Sequence, residues 1–155
     1  MFDILIIAFG KLKKTFHQEE FAEYIKYAKP FARVAVLELP AEAFDESNKE
    51  KIKKVEGEKL TRALEKYTGA SVFFLQEDGK KMDSLKFAEL LKNNGSQKII
   101  FVIGGALGID RQIANKPTAY LSLSEMTFNH ELARVMLSEQ VFRALTIIHN
   151  KNYHY

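Results

Sequence analysis

The stretch "KIIFVIGG", Lys98–Gly105, decides the fold. Ile99 to Ile103 is a short, continuous apolar run, as expected of a strand buried on both faces. It is the most apolar such run in the chain, which predicts the centre of a sheet. Two adjacent glycines follow it, and "ALG" brings a third at Gly108. Glycine at a strand end lets something approach the backbone without meeting a Cβ.

Outward from this strand, the pattern alternates strand and helix. "DILIIAF" (Asp3–Phe9) is a second apolar run, and "RVAVLEL" (Arg33–Leu39) a third that stops at Pro40. Between them Phe16, Phe21, Tyr24, Ile25 and Ala28 recur at roughly helical spacing over Phe16–Lys29, and Pro30 ends that helix. Ala43–Tyr67 reads as a polar loop followed by a helix with a thin stripe of Ile52, Val55, Leu60, Ala63 and Leu64. Its lysine run, Lys49 to Lys54, reads as a solvated face. "SVFFLQE" (Ser71–Glu77) predicts a strand, and "DGK" (Asp78–Lys80) a turn with glycine at positive φ. "SLKFAELLKNNG" (Ser84–Gly95) predicts a helix with Ser84 as N-cap and Gly95 as its stop. A short strand over Ala119–Ser124 and a long helix over His130–Asn150 complete the chain. The expected class is α/β: a mostly parallel sheet flanked by helices, in one domain over residues 1–155.

The 155 residues contain no cysteine, so disulfides and thiolate metal sites are excluded, which fits a cytoplasmic protein. No apolar run approaches the ~20 residues of a membrane span. No basic region precedes the first apolar segment, so it does not read as a signal peptide; Lys11, Lys13 and Lys14 follow it instead. A net charge of +3 and a pI near 9.0 permit an anionic partner without the dense basic stripe of a DNA-coating protein.

Ligands of open α/β sheets sit outside the carboxyl ends of strands. Three such ends stand out: "FLQEDGK", "VIGGALG" and "LSLSEMTF". The glycine spacing is neither G-x-G-x-x-G nor a P-loop, so no phosphate is expected at this turn. Histidines 17, 130, 149 and 154 have no metal-binding spacing, and no G-x-S-x-G elbow exists. In the last helix Ala133, Leu137, Val141, Ala144 and Ile148 form one apolar stripe, with Val135 and Phe142 a second patch. That surplus suits a symmetric dimer contact. Glu139 and Arg143, four apart, are placed to pair. On composition alone the ending "HNKNYHY" reads as a loose tail.

Taken together, "FVIGGALG", "LSLSEMTFNHELARVMLSEQVFRA" and the closing "NYHY" resemble the SPOUT-class methyltransferases of bacterial 23S rRNA. "ILIIAFGKLK", "VEGEKL" and "FLQEDGKKMDS" match in the same order, so the resemblance covers essentially the whole chain. It implies a C-terminal trefoil knot, a homodimer, and methylation of ring N3 of a pseudouridine in the assembled ribosome. It also implies S-adenosylmethionine bound along Leu75, Gly104, Gly105, Leu123, Ser124, Glu125, Met126, Thr127 and Phe128. His130, Glu139, Tyr153 and His154 become candidates for handling the departing N3 proton. Arg134, Arg143 and Lys151 become candidate contacts to RNA phosphate, and no metal is implied. The chain departs from the family pattern at Asn129, where proline is usual, and at Phe142, where tyrosine is usual. It departs also at Ala106, and at Tyr155, where a basic residue commonly closes the chain. Two other readings stand beside this one: a non-catalytic ribosome-binding protein of the same fold, and a methyltransferase of another RNA such as tRNA.

Overall fold

The computed structural model describes residues 1–113 and 115–155. Five strands form one parallel sheet: β1 (Phe2–Phe9), β2 (Ala32–Leu39), β3 (Ser71–Lys81), β4 (Ile99–Ile103) and β5 (Ala119–Ser122). Their order is β2-β1-β4-β3-β5, so the Ile99–Ile103 run lies at the centre, with all five residues buried. The helices are α1 (Thr15–Ala28), α2 (Lys49–Leu64), α3 (Ser84–Asn94) and α4 (His130–Ile148).

Alternate residues of the central strands feed two cores, as the period of a strand requires. Ile4, Ile6, Phe73, Ile99 and Phe101 pack beneath α1, α3 and α4 through Phe21, Phe87, Leu91, Leu137, Val141 and Leu145. Leu5, Ile7, Phe74, Ile100 and Val102 pack on the opposite face beneath Leu60 and Leu64 of α2, with Ile109 and Ile113. Each fully buried aliphatic or aromatic side chain of this kind contributes about 1.5–3 kcal/mol.

Four local expectations change. The Asp78–Lys80 segment is not a turn: β3 continues through it to Lys81, and Leu121 of β5 pairs with both Leu75 and Lys80 across a bulge. Gly79 does not have positive φ. It is glycine because β5 passes so close that a Cβ there would lie 2.5 Å from the Leu121 carbonyl carbon. The N-cap of α3 is Asp83, whose Oδ1 accepts from the Lys86 N–H at 2.8 Å, while Ser84 donates to Gln140 at 2.7 Å. The buried line of α2 is Ile52, Glu56, Leu60 and Leu64, so a carboxylate takes the place expected of Val55. Finally, the tail after α4 is docked. Lys151 N–H donates to Thr146 O at 2.8 Å, and the Tyr153 ring packs 4.7 Å from Phe142.

Substituting Gly79→Ala should therefore destabilise the fold by about 1–3 kcal/mol, the usual cost of overpacking. A urea titration reads this as a lower midpoint with an unchanged slope. An unchanged midpoint would mean that the β3–β5 crossing is looser than described.

Candidate active site

Because every strand is parallel, all carboxyl ends open on one edge, and the site is built there. After Ile103 the chain folds back on itself. Gly108 N–H donates to Gly105 O at 3.0 Å, the two residues form an isolated antiparallel bridge, and Gly108 takes φ +75°. A Cβ on Gly104 would lie 2.7 Å from the Gly108 carbonyl carbon. A Cβ on Gly105 would lie 2.7 Å from Glu56 Oε2. What crowds the two glycines is thus first the protein itself: the returning loop at one and a buried carboxylate at the other.

The surfaces of both glycines away from these contacts open into a cleft of about 1430 Å³. Leu75, Leu123, Met126 and Phe128 supply its apolar wall, with Ser124, Thr127 and His130 beside them. The opposite wall is α2, including Lys53, Lys54 and Arg62. The β3 bulge supplies Gln76, Glu77 and Asp78. It is stapled to the loop after β4. Gln76 Nε2 donates to Ile109 O at 3.1 Å, Arg111 Nε donates to Gln76 at 2.8 Å, and Arg111 pairs with Asp78. Bulges next to sites re-aim side chains in this way. The 122–126 turn is held by Ser122 Oγ donating to Ser124 O at 2.9 Å and by Met126 N–H donating to Ser124 Oγ at 3.0 Å.

The residues expected around a cofactor therefore gather, with one exception. Glu125 is not among the cleft residues; its exposed carboxylate pairs with Lys81. The four proton-handling candidates divide. His130 opens α4 at the cleft, where Asn129 Oδ1 caps the helix by accepting the Leu132 N–H at 2.9 Å. Asparagine in place of the usual proline thus gives α4 an N-cap. Glu139, Tyr153 and His154 meet further along the helix around Arg143. Arg143 bonds Glu139 Oε1 at 2.6 and 2.9 Å, lies 3.3 Å from His154 Nδ1, and stacks 4.6 Å over the Tyr153 ring. Tyr153 also donates to Glu139 at 3.2 Å. Glu139 in turn holds the Arg143 guanidinium above its ordinary pKa. Nine residues of helix, roughly 13 Å, separate this cluster from His130.

Arg134 is a correction. It is 1% exposed, pairs with Glu38 at 2.6 Å and donates to Gly10 O at 2.8 Å, so its guanidinium is committed inside the protein and cannot meet a phosphate. Arg143 is partly exposed and Lys151 exposed.

Sequence reading missed Glu56. It is 5% exposed, accepts the Glu42 N–H at 3.0 Å, and backs the glycine loop at Gly105. Burial pushes its carboxyl above the ordinary pKa. The available signal was its spacing of four from both Ile52 and Leu60. Among the described residues, no group of three or more acidic, histidine or cysteine side chains could hold a metal, and no helix is long and apolar enough to cross a membrane.

This geometry defines a class: an α/β protein whose ligand cleft lies at the carboxyl edge of a parallel sheet, on a folded-back glycine loop. Comparison with known proteins narrows it. A family model described as "Predicted SPOUT methyltransferase" matches residues 2–154. The chain is 38% identical to "Ribosomal RNA large subunit methyltransferase H" of Kosmotoga olearia, over 94% of this chain and 95% of that protein. It is also 38% identical to the protein of the same name from Carboxydothermus hydrogenoformans, over 98% and 99%. The solved structure of "a probable methylase family protein" from Haemophilus influenzae Rd KW20 superposes with a TM-score of 0.56 at 13% identity, over 99% of this chain and 70% of that one, and so shares the fold. The chain belongs to the SPOUT methyltransferase family, whose members require a methyl donor.

The buried Glu56 gives a pH prediction. Its raised folded pKa means that the folded state holds a proton which the unfolded chain releases near pH 4.3. Stability from this group therefore falls as pH rises through that window. Glu56→Gln, which carries no charge, should match the wild type below pH 4 and exceed its Tm at pH 7. A Tm difference that does not change with pH would contradict this.

Proposed function

We propose that this chain transfers a methyl group from S-adenosylmethionine to ring N3 of a pseudouridine in the 23S rRNA of assembled ribosomes. The observation that carries the reading is the cleft at Gly104–Gly105, in a chain whose relatives are named as methyltransferases of large-subunit ribosomal RNA. The residues fit the cofactor. Gly104 and Gly105 bring backbone without a Cβ to the cleft lining, and Leu75, Leu123, Met126 and Phe128 present an apolar wall suited to a flat adenine ring. The turn carries no phosphate-binding fingerprint, consistent with a cofactor that has no phosphate.

S-adenosylmethionine, when bound, supplies an electrophilic methyl group on sulfur. The remaining work is positioning, exclusion of water and removal of one proton. The cleft walls orient and enclose. In this reading His130, which lines the cleft, is the candidate that takes the N3 proton. Glu139 lies roughly 13 Å along α4 from His130, with Tyr153 and His154 of the tail gathered about it and Arg143; in this reading the three act on the cleft of a second copy in a homodimer. Exposed Tyr27 beside half-buried Tyr24, Phe142 and Tyr153 offers an aromatic face for that contact. Arg143 and Lys151 then meet RNA phosphate. The same reading assigns residues 1–155 to one SPOUT unit with a trefoil knot, working in the cytoplasm where ribosomes are.

Two experiments test this. Labelled S-adenosylmethionine is offered with 70S ribosomes, free 23S rRNA and tRNA from cells lacking the gene. Label should enter a 23S pseudouridine, most strongly in whole ribosomes. Label on tRNA alone would overturn the substrate, and none on any RNA the activity. In calorimetry, Phe128→Ala should bind S-adenosylmethionine about tenfold more weakly, since removing the ring from the apolar wall of the cleft gives up on the order of 1.5 kcal/mol of burial. Unaltered binding would place the cofactor elsewhere.

A further inference from the structure

We propose that the β1–α1 loop, Gly10–Lys14, is a phosphate-binding arm for the RNA strand that carries the target base. This deepens the methyltransferase reading and rests on it. Lys11, Lys13 and Lys14 are all exposed, and among the described residues none of the three forms an ion pair. The fold does not ask for them. Lys14 is the N-cap of α1 without a side-chain cap bond, and the first turn of α1 contains no acid. Positive charge at the positive end of a helix dipole is mildly unfavourable. An anion outside the chain reverses that sign.

The arm is held in place rather than left loose. Buried Arg134 donates to Gly10 O at 2.8 Å and is itself fixed by Glu38. Glu131 accepts the Lys13 N–H, and that bond is the main cause holding its carboxyl below the ordinary pKa, with His17 adding to it. Both anchors belong to the first turn of α4. In the same turn His130 and Ala133 face the cleft. Residues 131 and 134 lie about 100° round the helix from residues 130 and 133, so the arm is held on the face next to the one that lines the cleft. The arm thus borders the same end of α4 that lines the cleft, where a single strand with its target base in the cleft can reach it. Phe16, 63% exposed and two residues beyond Lys14, adds an aromatic surface of the kind on which unpaired bases stack. The charge thus sits on the arm, and Arg134, expected to touch phosphate, instead fixes the arm's first residue.

The test is co-sedimentation of the full-length protein with 70S ribosomes over a potassium chloride series. Lys11→Gln/Lys13→Gln/Lys14→Gln should raise Kd at least tenfold near 100 mM salt. It should flatten the slope of log Kd against log salt by about two, since each lost phosphate contact removes roughly 0.7–0.9. Calorimetric binding of S-adenosylmethionine should not change, which shows that the variant is folded. A control, Lys26→Gln/Lys29→Gln at the other end of α1, should leave Kd and slope as in the wild type. An unchanged Kd and slope in the triple variant would overturn the proposal, as would an equal loss in the control. Absence of methyl transfer by the wild type would sink the enzyme reading separately, because Kd and slope are read without turnover.

Discussion

The contact on which the rest of the structure depends is backbone against backbone. Gly104 lies so close to Gly108 that a single methyl group between them would sit 2.7 Å from a carbonyl carbon. Only a chain bare of side chains turns back so tightly at the end of the central strand. The turn sends the following segment across to β5, beyond β3, and there the same economy recurs where Gly79 lies under Leu121. The cleft is the space that these two close approaches leave at the carboxyl edge. Gly57 of α2 lines it, the β3 bulge forms its rim, and Glu56 stands behind Gly105.

The first turn of α4 has an equally central part. Asn129 caps it, His130 and Ala133 look into the cleft, and Glu131 and Arg134 hold the β1–α1 loop. One helical turn therefore fixes the position of the loop relative to the cleft. Packing between α1 and α3 keeps that turn in place, with Leu137, Val141 and Leu145 buried beneath. The second half of the same helix, with the tail after it, gathers Glu139, Arg143, Tyr153 and His154, so α4 links the two clusters of polar groups.

Much of the architecture was legible because the strands are short, apolar and bounded. Ile99–Ile103 announced the central strand, and the long periodicity after His130 announced α4. The bulge in β3 was not legible, since Asp-Gly is a turn signal and nothing local says that β5 will run alongside and extend the strand. The cap of α3 moved by one residue because aspartate and serine stand side by side and both suit the position. The site divides in the same way. Gly104, Gly105 and the 123–128 segment were visible as strand ends in sequence, whereas Glu56 was not, because a glutamate in a lysine-rich helix reads as surface. Arg134 failed for the complementary reason: its partners, Glu38 and Gly10, are 96 and 124 residues away in the chain.

The cleft at the folded-back glycine turn is the proposed seat of the cofactor. The direct measurement is amide chemical-shift mapping of the ¹⁵N-labelled protein as S-adenosylmethionine is added. The largest shifts should fall on Leu75, Gly104, Gly105, Met126 and Phe128, with the amides of β2 and the middle of α1 unmoved. Shifts centred on β2, α1 or the tail, with the glycine turn silent, would contradict it.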